Sequence, residues 1–266
     1  MFVVFVLLAA FLCLAMVGAW AWALRTGKSG LIDATWSAAV GLACFAAALW
    51  SVSSADSIAR RFLVAAMAAA WSSRLGSYIL GRSLAEDDPR YAELKRGWGA
   101  DAPRKLFLFL QAQAIAGWPL VGAALLAAHV PSASLGPSDA LGALVFATGF
   151  TGEAIADRQM ARFRGDPANR RGICEVGLWA YSRHPNYFFE WLCWLAYAII
   201  AADFSGHYPW GWLALAAPVT MYWLLVHVSG IPPLEAHLAR SRPAAFADYA
   251  ERVSAFWPWP PADRAP

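Results

Sequence analysis

Charge is what this 266-residue chain has least of: its 39 Lys, Arg, Asp and Glu residues are 15% of it, against 59% hydrophobic residues. That balance lies outside the usual range of soluble domains and reads as a membrane protein. The net charge is only +3, and the basic residues sit in short loops rather than along an exposed face, so no nucleic-acid partner is expected. Cysteine is scarce. Cys13, Cys44, Cys174 and Cys193 have no CxxC spacing and three lie in apolar stretches, which excludes a disulfide framework and a zinc site and leaves thiols. His129, His207, His227 and His237 are scattered without ligand spacing, so no metal is expected. Residues 2–24 lack the basic n-region of a secretory signal and are followed by Arg25 and Lys28, so they read as a first transmembrane helix. There is no internal repeat, low-complexity tract or dividing linker, and one domain over 1–266 is the simplest organisation.

What the chain does have is apolar runs close to membrane-spanning length, at 2–24, 31–50, 62–81, 106–129, 139–160, 185–202 and 210–228. The expectation is an all-α, polytopic membrane protein of about seven transmembrane helices. Lys and Arg gather after runs one, three and five and in the C-terminal tail, from Arg25 and Lys28 through Arg90, Lys95 and Arg96 to Arg240, Arg242 and Arg252. Arg60 and Arg61 alone mark the other side, which predicts an outer N-terminus and a cytoplasmic C-terminus. The Ala-rich composition suits a bacterial inner membrane. Trp98, Trp118, Trp210, Trp212, Trp257 and Trp259 fall near predicted membrane edges as an aromatic belt. The run Glu86-Asp87-Asp88-Pro89-Arg90-Tyr91 reads as a solvated loop.

Ionisable groups inside apolar helices are costly, so each one is a candidate functional residue. They are Asp33 in run two, Arg74 and Tyr78 in run three, Glu153 and Asp157 in run five, and Glu190 in run six. All fall in the cytoplasmic half of the expected topology. Trp71, Arg74, Tyr78 and Arg82 are three or four apart and share a helical face, as do Glu153 and Asp157. Arg74 can serve either as a structural partner of one of these acids or as a ligand contact.

The densest polar signal is Ser182-Arg183-His184-Pro185-Asn186-Tyr187, with Glu190 four residues beyond Asn186. Pro185 is favoured at the first position of a helix, where the free N–H groups of the first turn meet anions. With Arg183, His184 and the basic segment Arg158–Arg171, this predicts a site for a phosphate-bearing cofactor.

This hexapeptide, with Ala156-Asp157-Arg158-Gln159, Ser229-Gly230-Ile231-Pro232-Pro233-Leu234-Glu235, Trp71 to Arg82 and Asp248-Tyr249-Ala250-Glu251-Arg252, resembles the uncharacterised bacterial branch of the steroid 5α-reductase superfamily. The resemblance implies a seven-helix reductase that binds NADPH from the cytoplasm and reduces a carbon–carbon double bond conjugated to a carbonyl in a lipophilic substrate. It assigns Arg82, Glu153, Asp157, Arg164, Arg183, His184, Asn186, Glu190 and Tyr249 to the cofactor, and Asp33, Arg74 and Tyr78 to the reacting end of the substrate. Where steroid 5α-reductases carry a Gln-Glu pair and a Tyr, this chain has Ile32-Asp33 and Trp71; Asp33 can replace the Glu and Tyr78 supplies a hydroxyl. Two other readings compete. The Arg-His-Pro element also occurs in isoprenylcysteine carboxyl methyltransferases, which implies an S-adenosylmethionine-dependent membrane methyltransferase; the number of Arg residues between 158 and 183 favours the more anionic NADPH. The other is a non-catalytic lipid-binding relative.

Overall fold

The computed structural model describes residues 1–52, 57–85, 89–170 and 172–263, with the side chains of 80, 82–85 and 89 outside it. Glu86, Asp87, Asp88, Arg171 and the side chain of Arg82 therefore lie outside the described residues. All regular structure among the described residues is helical: α1 (Phe2–Thr26), α2 (Leu31–Leu49), α3 (Ile58–Ala85), α4 (Pro89–Trp98), α5 (Ala102–Ala128), α6 (Pro137–Gly165), α7 (Pro185–Ala201), α8 (Ala216–Trp223), α9 (Ile231–Ser241) and α10 (Pro243–Arg252). Among the described residues, four stretches are long and apolar enough to cross a membrane: Phe2–Thr26, Leu31–Leu49, Arg90–Ala128 and Pro209–Ser241. This is a membrane protein by its helices. In α1, Leu12, Met16, Ala19 and Ala23 are buried at helical spacing while Leu7, Leu14 and Trp22 face outward. A helix apolar on both faces is what hydrocarbon on one side and protein on the other select.

The chain divides into two compact units, Met1–Ala140 with Tyr197–Ala217, and Leu141–Ala196 with Pro218–Pro266. In the first, α2 and α3 approach so closely that a Cβ on Gly41 would lie 2.0 Å from that of Ser72, whose hydroxyl donates to the Ser37 carbonyl at 3.1 Å. Small residues at a crossing let backbones meet where no water drives association. The same unit seals an ion pair: Arg60 and Asp139, 3% and 2% exposed, meet at 2.7 Å, and the Arg60 guanidinium also donates to the carbonyls of Val130, Ser132 and Ser134. His129 is buried with its ring nitrogens 2.8 Å from the carbonyl oxygens of Leu125 and Trp50.

In the second unit, α6 and α7 cross at Gly149 and Gly152, where an added Cβ would come within 2.7 Å of the Phe189 carbonyl and 2.3 Å of its ring. The apolar run at 210–228 is not one continuous helix: a 3₁₀ stretch Pro209–Leu215 precedes α8, and a π-helical turn Leu224–Val228 follows it. Pro218, which has no N–H to donate, sits in the first turn of α8, where none is required. The polar segments at 89–98, 231–241 and 243–252, read from sequence as loop and tail, are helices with one apolar side each, shown in α10 by buried Tyr249 and half-buried Phe246.

Candidate functional site

The second unit holds a group of buried ionisable side chains close together in sequence. Glu153 on α6, His184 just before α7 and Glu190 on α7 are each about one-twentieth exposed, at 4%, 4% and 5%. Their neighbourhood is built by side chains reaching for backbone. Trp179 Nε1–H donates to the Ala156 carbonyl at 3.0 Å, and the Leu178 N–H donates to Gln159 Oε1 at 3.0 Å. These bonds dock the turn Gly177–Ala180 on the stretch of α6 that holds Asp157. Gly177 takes a positive φ of 60°, and a Cβ there would collide with the Gln159 amide, so glycine is required.

The corner that follows, residues 181–184, is gripped by the C-terminal segment. The Arg183 N–H donates to Ser254 O at 2.8 Å, Ser182 Oγ donates to Phe256 O at 3.0 Å, and the Trp259 N–H donates to Tyr181 O at 2.9 Å. Helix α7 then begins at Pro185, as its sequence predicts. Arg183 donates Nε–H to Glu235 Oε1 at 2.7 Å and Nη2–H to Oε2 at 3.2 Å, while Nη1 serves the carbonyls of Ala250 and Val253 at 3.1 and 2.6 Å. Four of its five N–H bonds are thus spent inside the protein. Glu235 Oε1 also meets His184 Nε2 at 3.0 Å, and the imidazole stacks on Tyr187 with ring centroids 5.5 Å apart. Asn186, on the first turn of α7, is half-buried, and its amide has no hydrogen-bond partner among the described residues.

Of the residues selected from sequence, the structure groups Arg183 and His184 directly. Tyr249 joins them through Trp179, whose carbonyl its hydroxyl meets at 2.6 Å. Burial, and then the charges of Cys174 and Glu175, push the Tyr249 phenol up, so it stays a hydrogen-bond donor to backbone. Burial likewise raises the Cys174 thiol, the nearby Arg164 working against it. Glu190 accepts from Trp194 Nε1 at 3.0 Å. Asp157 is half-buried on α6, and Arg164 is exposed near its end beside the exposed Arg158, Arg162 and Arg170.

Asp33, Arg74 and Tyr78 belong to the first unit. Asp33 accepts from Tyr91 at 2.6 Å and from Arg90 at 2.5 Å, and Gln113 donates to the Tyr91 hydroxyl at 3.2 Å. Trp71 is fully buried, Arg74 half-buried and Tyr78 exposed at 43%. The sequence reading passed over Glu235, Tyr91 and Gln113 as site residues. Glu235 carried a signal all the same, a lone acid just after Pro232-Pro233, where a helix starts; Tyr91 and Gln113 carried none, because only the fold brings them to Asp33.

The donor set fits a dinucleotide phosphate cofactor: exposed guanidinium groups along the end of α6, an imidazole, and an amide left open on the first turn of α7. The model of one family, described as a protein of unknown function (DUF1295), matches residues 19–253. Neither the curated proteins nor the solved structures contain a match.

Proposed function

The chain belongs to that family, which is related to steroid 5α-reductase-like proteins, and from this premise we propose that it is a membrane-embedded, NADPH-dependent reductase of a conjugated carbon–carbon double bond in a lipophilic substrate, steroid-like or another enone. The observation that carries the reading is the Asn186 amide, half-buried and open on the first turn of α7 beside buried His184 and Glu190. With no partner among the described residues, that amide has both its donors and its acceptor to offer a ligand.

In this reading the seven apolar segments all cross the bilayer, with the N-terminus outside and the α9–α10 end in the cytoplasm of a bacterial inner membrane. Asp157, Arg164, His184, Asn186 and Glu190 hold the cofactor, with Glu153 and Arg183 in the same unit and Tyr249 fixing the corner; Arg82 is assigned to the cofactor by the resemblance alone. The cofactor, when bound, supplies a hydride to the β-carbon of the enone. On the substrate side, Asp33 spends both carboxylate oxygens on Tyr91 and Arg90, so it orients a phenol rather than giving up a proton itself. Arg74 and Tyr78 complete that set, and a hydrogen-bond donor at the carbonyl oxygen stabilises the enolate until the α-carbon takes a proton from water, so that enone, NADPH and one proton give saturated ketone and NADP⁺.

The alternatives are an S-adenosylmethionine-dependent methyltransferase and a non-catalytic lipid-binding relative. A sulfonium cofactor has little use for the exposed Arg158, Arg162, Arg164 and Arg170, and a scaffold has none for buried His184 and Glu190. The test is NADPH consumption by detergent-purified protein offered enone lipids, with saturated ketone and NADP⁺ formed one for one. Methyl transfer from S-adenosylmethionine instead, or no turnover of either cofactor, overturns the reading.

A further inference from the structure

Glu235 stands in no motif role assigned above, yet it is the hub of the corner. One carboxylate accepts from Arg183 through both oxygens and from His184 through Oε1. A purely structural acid could satisfy Arg183 alone, as Asp139 satisfies Arg60 with both of its oxygens and no third side chain. Here the imidazole is brought in as well. Its Nε2 is consumed by Glu235, and its Nδ1 has no hydrogen bond among the described residues. Ring stacking on Tyr187 fixes the imidazole plane. Arg183, tied to the Ala250 and Val253 carbonyls, keeps the carboxylate from swinging away.

We propose that Glu235 is a positioning residue for ligand binding, holding His184 by Nε2 so that Nδ1 is the nitrogen left for a phosphate oxygen of the bound dinucleotide, two residues from the open amide of Asn186. A carboxylate behind an imidazole fixes its orientation and supports a proton on both nitrogens when an anion lies in front. Arg183 acts here as the brace of Glu235 and not as a contact to the ligand. This inference rests on the NADPH reading.

The experiment is a double-mutant cycle on the full chain in detergent, titrated with NADPH. Glu235→Gln weakens binding about tenfold, the scale of one lost charge-assisted hydrogen bond. His184→Ala weakens it at least as much, and the double variant is no weaker than His184→Ala, because Glu235 acts through His184. Glu235→Asp, which keeps a charge for Arg183 but shortens the reach to His184, falls in between and serves if Glu235→Gln does not fold. Unchanged affinity in the Glu235 variants, or losses that simply add, overturns the proposal. If the wild-type chain does not bind NADPH, the cofactor reading fails, and the positioning is read without ligand from diethyl pyrocarbonate modification of His184. Glu235→Gln then speeds that reaction several-fold while exposed His207 is unaffected; equal rates at His184 overturn the proposal.

Discussion

Each compact unit pairs an arginine with a carboxylate, and the two do so differently. Arg60 and Asp139 are sealed, and every partner of the guanidinium is that carboxylate or a backbone carbonyl between Val130 and Ser134. Arg183 and Glu235 are 13% and 20% exposed, and the carboxylate is shared with a histidine. The first arrangement closes a loop and has nothing left to offer. The second leaves a ring nitrogen and a neighbouring amide open, as the proposed ligand site requires.

The comparison breaks most sharply at Arg60. Arg60→Ala strands the Asp139 carboxylate in the interior and costs about 3–5 kcal/mol, seen as loss of monodisperse protein in detergent; Arg183→Ala, whose acid keeps His184 and some solvent, costs clearly less in a thermal scan. Next in size is Gly152→Val, which drives a side chain into the Phe189 ring and costs about 1–3 kcal/mol by parting α6 from α7. It weakens NADPH binding as well, whereas Gly41→Ala in the first unit lowers thermal stability with no effect on cofactor affinity. Tyr249→Phe removes one hydrogen bond to Trp179 and costs about 1 kcal/mol, a small shift in melting temperature. The smallest effect is chemical: Cys174, its thiol raised by burial, alkylates slowly at neutral pH, and its rate climbs only when the corner is loosened by that same substitution.

The apolar periodicity made seven helical segments legible, and Pro185 marked the start of α7 to the residue. The same signal missed α4, α9 and α10, because short helices with one apolar side look like charged loops when read by composition. It also merged the 3₁₀, α and π pieces between Pro209 and Val228, since hydropathy is blind to hydrogen-bond register. In the candidate site, Arg183 and His184 were legible from spacing and cost of burial. Their shared carboxylate was not, because 51 residues separate His184 from Glu235 and no local pattern links them. Asp33 likewise stood out, while its partners Tyr91 and Gln113 emerged only from the packing of α2, α4 and α5.

On the proposed function, the corner at the start of α7 holds a dinucleotide through groups the fold leaves open. Calorimetric titration of the purified chain and its Asn186→Ala variant, with NADPH and separately with S-adenosylmethionine, tests it most directly. The expected result is saturable NADPH binding by the wild-type chain, loss of that binding in Asn186→Ala, an unchanged melting temperature in the variant, and no response to S-adenosylmethionine. Binding of S-adenosylmethionine alone, or NADPH binding that Asn186→Ala leaves intact, contradicts it.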